Sequence, residues 1–223
     1  MLSDVMEDYL KTIYVLQRET GDRVGTSAIA DRMDVTSPTV TSMLEKLEGR
    51  GLLDREKYNG VTLTPEGETL AIEVLRHHRL IEAFLASELD YDWTDVHEEA
   101  DRLEHYISER FEQRIADVLG DPRVDPHGDP IPGADLTPPD ENEGVQLSDC
   151  SVDDQVKITR VRHRTGEELQ YLAEAGVTPG EEVTIVEIAP FGMITVDGPR
   201  GTQSLPEEIA RLIRVAPIAE LAQ

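Results

Sequence analysis

The amino-acid sequence predicts a mainly α chain with a β portion at its end: three short helices and a hairpin, then a helical domain, then a small β-barrel. Three observations predict it. Apolar residues recur at helical spacing in three capped runs within residues 2–47. An Asn59-Gly60 pair flanked by two β-prone runs follows directly. From about Leu147 the pattern changes to short alternating apolar runs.

The first helix is expected over residues 3–19, where Leu2, Val5, Met6, Tyr9, Leu10, Ile13, Tyr14 and Leu16 share one face and Gly21 ends the run. The second starts at Thr26 or Ser27 as N-cap, carries Ile29, Ala30 and Met33, and stops in a turn at residues 34–36. The third takes Ser37 as N-cap and Pro38 at its first position, where a missing N–H is tolerated, and carries Val40, Met43, Leu44 and Leu47. Residues 52–63 form a hairpin turning at Asn59-Gly60, in the place of a wing. Thr64-Pro65 opens a long helix through Ala71, Val74, Leu75, Leu80, Ile81 and Leu85, and one further helix is expected over residues 95–119. These two helices are expected to pair subunits.

Residues 120–146, rich in Gly, Pro and Asp, read as a linker or extended segment. Beyond them Val156, Ile158, Val161, Val183, Ile185, Ile188, Met193, Ile194 and Val196 mark strands, with helix-like pieces at 166–175 and 206–212. The domain boundaries are therefore set at 1–64, 65–140, a linker 141–146, and 147–217.

No apolar run approaches the roughly 20 residues of a membrane span. Residues 1–9 carry three acids and no basic run, unlike a secretory leader. A soluble cytoplasmic protein without a membrane partner is expected. Cys150 is the sole cysteine, which excludes an internal disulfide and a thiolate-rich zinc site. The net charge of −25 opposes nucleic-acid binding, which needs Lys and Arg to displace counterions. Residues 22–65, however, carry seven acids (22, 31, 34, 45, 48, 54, 56) against six bases (23, 32, 46, 50, 55, 57) and are nearly neutral. Acids spread over the remaining surface suit solubility in concentrated salt, so a halophilic source is expected.

In a helix-turn-helix the second helix enters the major groove by its N-terminal residues, which must be small, polar and exposed. Thr36, Ser37, Pro38, Thr39, Thr41 and Ser42 meet this description; their hydroxyls can bond phosphates or base edges. Lys46 and Arg50 on the helix, and Arg55 and Lys57 on the hairpin, would reach phosphates. Ser-Pro-Thr alone is an ordinary helix start. The order of helices, tight turn, hydroxyl-rich helix and hairpin makes double-stranded DNA the expected partner.

Along residues 95–105, His97, Asp101, Glu104 and His105 fall on one 100° face of a continuous helix. His78 and Glu82, four apart on the preceding helix, project together, so two helices offer donors for one or two cations. Oxygen and imidazole donors without thiolate favour Mn2+ or Fe2+, with Zn2+, Co2+ or Ni2+ able to substitute on raw affinity. Neutral imidazole is required, so affinity should fall below about pH 6.5. His77 and His127 have no such arrangement and read as structural.

The chain resembles the diphtheria toxin repressor family of iron- and manganese-dependent regulators. The carriers are residues 7–14 (EDYLKTIY), 37–40 (SPTV), 77–80 (HHRL), 96–100 (VHEEA), 103–105 (LEH) and 128–133 (GDPIPG). The resemblance implies a primary metal site on Asp8, Asp101, Glu104 and His105 and an ancillary site on His78, Glu82 and His97. The iron-sensing branch usually has Met and Cys where Asp8 and Asp101 stand, so these acids resemble the manganese-sensing branch. That branch's two-metal site usually has Glu where this chain has Lys11, which places a positive charge near the site instead. Residues 172–180 and 189–192 resemble the SH3-like domain of ferrous-transport accessory proteins, which in the family can lend an ancillary ligand. Glu168 is nearest the corresponding stretch, and Thr165 stands where a carboxylate would be expected.

The resemblance implies a homodimeric repressor of metal-uptake genes, without a small-molecule substrate. Metal would join Asp8 to the helical domain and fix two recognition helices for half-sites about one helical turn apart, so that metal and DNA tighten each other's binding. Two rival readings are a metal-independent winged-helix regulator and a di-metal hydrolase. The hydrolase would need an open coordination position beside a nucleophile or base, and no such motif accompanies these residues.

Overall fold

The computed structural model describes residues 2–140, 144–162, 166–190 and 192–218. They form two compact units: residues up to 78 with 101–114 and 131–139, and residues 79–100 with 115–130 and 140 onwards.

The first unit opens with α1 (Asp4–Thr20), which buries Met6, Tyr9, Leu10, Ile13, Tyr14 and Leu16 along one stripe. Gly21, at φ 69°, ends it in the left-handed conformation and gives its N–H to the Gln17 carbonyl. Then come α2 (Thr26–Arg32) and α3 (Ser37–Glu48), with Asp34 at φ 50° in the turn between them. Both N-caps fall one residue or more before the expected position. Gly25 caps α2, and Thr36 caps α3, because the Thr36 carbonyl already accepts the Val40 N–H at 3.1 Å. Val40, Leu44 and Leu47 of α3 share one core with Leu10 and Ile13 of α1 and Ile29 of α2.

Strands β1 (Leu53–Glu56) and β2 (Gly60–Leu63) pair antiparallel, Leu53 opposite Leu63 and Glu56 opposite Gly60. The connection is three residues, 57–59, rather than a two-residue Asn-Gly turn. Tyr58 takes the left-handed position (φ 72°), and Asn59 N–H closes onto the Glu56 carbonyl. Gly60 has another duty: a Cβ there would lie 2.4 Å from the Val24 carbonyl oxygen, where Val24 bridges to Val61.

Helix α4 (Pro65–Glu88) is capped by Thr64, whose hydroxyl accepts the Gly67 N–H. The single helix expected over 95–119 is instead two, α5 (Val96–Leu103) and α6 (Glu109–Leu119). Ser108 begins α6 by accepting the Phe111 and Glu112 N–H groups on its carbonyl, and the intervening residues 104–106 form a turn.

In the second unit six antiparallel strands run in the order β3-β8-β4-β5-β6-β7. They are β3 (Val145–Gln146), β4 (Gln155–Val161), β5 (Glu182–Ala189), β6 (Met193–Gly198), β7 (Gly201–Pro206) and β8 (Ile213–Pro217). Register shifts in β4 and β5 bend the sheet. A core of Leu147, Val156, Ile158, Val183, Ile185, Ile194, Val196, Leu205, Ile213 and Val215 fills it, covered by α7 (Gly166–Ala175) and the short α8 (Glu207–Ala210). This is the mainly α fold with a β end that the sequence predicts. The segment read as linker is not a spacer: Asp125, His127, Ile131 and Pro132 are buried, and 145–146 belong to the sheet. Gly128 (φ 83°) makes this possible in the second unit, since a Cβ there would meet the Thr159 carbonyl oxygen at 2.0 Å. Among the described residues no helix is long and apolar enough to cross a membrane.

Candidate metal centre

In the first unit Asp8 and Lys11 lie three apart on α1, so both side chains leave the same face. Glu104 and His105 come from the turn after α5. Sequence neighbours on a helix point 100° apart; leaving the helix at Glu104 lets both aim at α1. Donor atoms of Asp8, Glu104 and His105 lie within 4.8 Å of one another. His105 Nε2 is 2.9 Å from Asp8 Oδ1 and 3.5 Å from Glu104 Oε1, while Nδ1 donates to Glu7 Oε2 at 2.7 Å. Asp101 is not in that trio. Its Oδ1 accepts from Lys11 Nζ at 2.9 Å, and Lys11 also donates to both oxygens of Glu104, at 2.6 and 2.8 Å. His78 Nδ1 donates to Glu104 Oε2 at 2.6 Å.

The protonation states follow from this crowding. Burial opposes the imidazolium of His105, but the hydrogen bond to Glu7 and the charges of Glu104, Asp8 and Glu7 outweigh it and raise its pKa. Burial raises the pKa of Asp8 despite His105 and Lys11 nearby. Glu104 is 1% exposed, yet bonding to His78 and the Lys11 charge overcome burial and hold its carboxyl below the usual range. A buried carboxylate kept ionised beside an imidazole held by protons is a site where a cation and a proton compete for the same lone pair.

The second unit holds another cluster. Glu82 Oε1 of α4 accepts from His97 Nδ1 of α5 at 3.0 Å and lies 3.7 Å from His127 Nδ1. Glu82, Asp125 and His127, all buried, also place donor atoms within 4.8 Å of one another. His127, read from the sequence as having no such arrangement, thus has one. Its Nε2–H donates to the Trp93 carbonyl at 2.9 Å, and its pKa is raised to about 9: burial opposes this, but bonding to Glu82 and the charges of Glu82, Asp125 and Asp129 prevail. Asp125 Oδ1 accepts the N–H groups of His127 and Asp129, and burial together with Asp129 and Glu82 pushes its carboxyl well up. Asp129 is held down instead, since Arg79 and Arg160 outweigh its burial; it pairs with both.

Of the expected ancillary residues, Glu82 bonds His97 and His78 bonds Glu104. Glu168 sits half-buried in the first turn of α7 and belongs to no three-donor grouping among the described residues. Thr165 lies outside the described residues. His77 bonds the Glu104 carbonyl at 3.1 Å and Glu112 at 3.2 Å, as a structural histidine does. The sequence reading passed over Glu7, whose signal was its place one residue before Asp8, and the network of residues 79, 125, 129 and 160, whose partners are too far apart in sequence to signal each other.

On the helix-turn-helix, Thr36, Ser37, Pro38, Thr39, Ser42, Lys46 and Arg50 are exposed. Thr36 and Thr39 hydroxyls meet at 2.9 Å, and half-buried Thr41 donates to the Ser37 carbonyl. On the hairpin Arg55 stands 3.6 Å from both Glu45 and Glu48 of α3, so its charge is partly engaged, and Lys57 lies over the ring of Tyr58, which is 92% exposed.

A helix-turn-helix and hairpin whose first helix carries one of the three donors of a hard-donor cluster defines a class, DNA-binding proteins with a built-in cation centre. Residues 1–61 match the N-terminal DNA binding domain of iron dependent repressors, 64–133 their metal binding and dimerisation domain, and 145–217 the FeoA domain. The chain belongs to the iron-dependent repressor family. The diphtheria toxin repressor of Corynebacterium glutamicum is 35% identical over 223 residues, covering 96% of each protein. The iron-dependent repressor IdeR of Mycobacterium tuberculosis is 37% identical over 228 residues, covering 96% of this chain and 97% of that protein. The solved structure of a manganese-dependent transcriptional repressor in complex with manganese is similar at a TM-score of 0.85 and 37% identity, covering 96% of this chain and 100% of that one.

Proposed function

We propose that this protein is a metal-dependent transcriptional repressor that binds operator DNA as a homodimer when loaded with Mn2+ or Fe2+ and controls metal-uptake genes. The observation that carries it is the origin of the donors: Asp8 comes from α1, whereas Glu104 and His105 come from the turn after α5. Asp8 sits between Leu10 and Met6 on a helix whose other face packs with Val40 and Leu44 of the recognition helix. A hold on Asp8 is therefore passed through a packed core to α3, which moves with α1 as one body.

The donors fit a hard dication: carboxylate oxygens and imidazole nitrogens, with Cys150 buried away in the core of the other unit. When bound, such an ion supplies positive charge between carboxylates that otherwise repel. Glu7 keeps the Nδ1–H of His105 engaged, which presents Nε2 to the site, the usual outer-shell arrangement for a ligating histidine. Asp101 completes the primary set indirectly, by holding Lys11. Glu82 with His97 is the proposed ancillary pair, with His78 and Glu168 as its further candidates. Thr36, Ser37, Pro38, Thr39, Thr41 and Ser42 read DNA, and Lys46, Arg50, Arg55 and Lys57 meet phosphates. Exposed Leu103, Tyr106 and Phe111 support subunit pairing through residues 65–140. Work in the cytoplasm of a halophile is consistent with the −25 charge.

The test is binding to the protein's own promoter DNA in molar salt, chelated and then titrated with Mn2+ or anaerobic Fe2+. Binding that appears only with metal supports the reading and the more effective ion is the signal; equal binding in chelator overturns it in favour of a metal-independent regulator.

A further inference from the structure

We propose that the ammonium of Lys11 is a resident cation of this centre: it fills the position between Asp101, Glu104 and His78 and so restricts the centre to one exchangeable dication, held by Asp8, Glu104 and His105. The inference rests on reading the cluster as a metal centre and adds its stoichiometry.

The geometry is that of an occupied cation position. Three carboxylate oxygens, Asp101 Oδ1 and Glu104 Oε1 and Oε2, lie 2.6–2.9 Å from Nζ, one for each N–H of an ammonium, and His78 Nδ1 stands at 3.5 Å. With the lysine removed and the His78 Nδ1 proton released, the same four atoms are two carboxylates and an imidazole converging on one point from α4, α5 and the turn after it. That is a donor set for a small cation. The lysine side chain is only 15% exposed, so its head is lodged rather than draped over the surface.

Two consequences follow. A second dication at the Asp101–Glu104–His78 position would need Nζ to leave, and at ligand distance from Nζ it would meet a fixed positive charge in a partly dehydrated site. Asp101 Oδ1 and His78 Nδ1 are thereby withheld from the exchangeable ion of this centre, while Asp8 and His105, on the other side of Glu104, remain available to it. Lys11 also ties α1 to the turn after α5 in the absence of metal, so it positions the donors before any ion arrives.

The experiment is metal counting on the full chain, with Lys11→Met, which keeps length and removes charge, and Lys11→Arg, which keeps charge. Each protein is stripped with chelator and dialysed against Mn2+; bound ion is measured by atomic absorption, and spin coupling by electron paramagnetic resonance. The expected result is uncoupled Mn2+ in the wild type and in Lys11→Arg, with Lys11→Met binding one more ion per chain and showing the spectrum of a coupled pair. A coupled pair already present in the wild type overturns the proposal, and this measurement needs no variant to fold. An unchanged count in a folded Lys11→Met overturns it too, while leaving metal-dependent DNA binding intact. A wild type that binds no Mn2+ or Fe2+ overturns the metal reading and this inference with it.

Discussion

The two carboxylate–histidine clusters look alike in composition and differ in charge balance. Around His127, the acids Glu82 and Asp129, with Asp125 pushed towards its neutral form, stand against three cations, Arg79, Arg160 and the raised-pKa His127. Around His105, four acids (Glu7, Asp8, Asp101, Glu104) stand against Lys11 and the raised-pKa His105. Buried charge must be paired to be tolerated. In the first cluster Asp125, Asp129, Arg79 and Arg160 brace the loop at 125–129 to α4 and β4, while Glu82 is shared with His97, its partner in the proposed ancillary pair. The second is left short of positive charge at one place, beside Asp8, where the proposed exchangeable ion would sit.

The sharpest way to break this contrast is to remove one charge from each cluster. Arg160→Met leaves Asp129 with a weakened partner set in a buried site and should cost roughly 3–5 kcal/mol of stability, equally with Mn2+ or chelator, read by chemical denaturation. Asp8→Ala should change the chelated protein little, because Asp8 is partly exposed. It should instead abolish the gain on adding metal, which for an intact site is about 2.7 kcal/mol at a hundredfold excess over Kd. If Arg160→Met is rescued by metal, the assignment of brace and centre is reversed.

The brace also has a pH signature. Against the opposing effect of burial, His127 is raised from 6.5 to about 9 by Glu82, Asp125 and Asp129, and the Trp93 carbonyl accepts its other N–H. A folded pKa above the unfolded one stabilises fully below about pH 6.5 and is lost as pH climbs through 9. The chelated protein should therefore lose up to roughly 3 kcal/mol between those limits from this group. His127→Gln should flatten that part of the curve; an unaltered slope would place the titration elsewhere.

A smaller effect sharpens the account of the metal centre itself. Glu7→Gln keeps an acceptor for His105 Nδ1–H but removes the charge behind it. Mn2+ affinity by titration calorimetry should fall about 10-fold, at the low end of the effect of outer-shell changes, with stability in chelator nearly unchanged. No change in affinity would make Glu7 a bystander.

Much of this was legible in residues 2–63. There the apolar period, Gly21, Pro38 and the Asn59-Gly60 pair each constrain the backbone locally, and the helices and hairpin fall where the sequence places them. The errors were local too: Thr36 replaced Ser37 as cap, and Tyr58 took the left-handed turn position. The ligand face drawn on one helix over 95–119 failed for a physical reason. Ser108 offers a competing helix start, so the chain unwinds at Glu104, and the donors converge through a turn rather than along a stripe. The loop at 120–132 was misread as a spacer because Pro, Gly and Asp are as compatible with a buried, turn-rich brace as with a linker.

By itself the sequence determined the elements of residues 2–63, the two kinds of core and the hardness of the donors, since period, capping and a single cysteine act through neighbours or through composition. Tertiary structure decided which donors meet. Lys11 reaches Glu104 across 93 residues, and His105 reaches Asp8 across 97 and Glu7 across 98. Such encounters are set by how α1 packs on the core, and no local preference encodes them. Whether a cluster of acids and histidines closes on arginine, on lysine or on a metal is settled only where the folded chain brings the charges together.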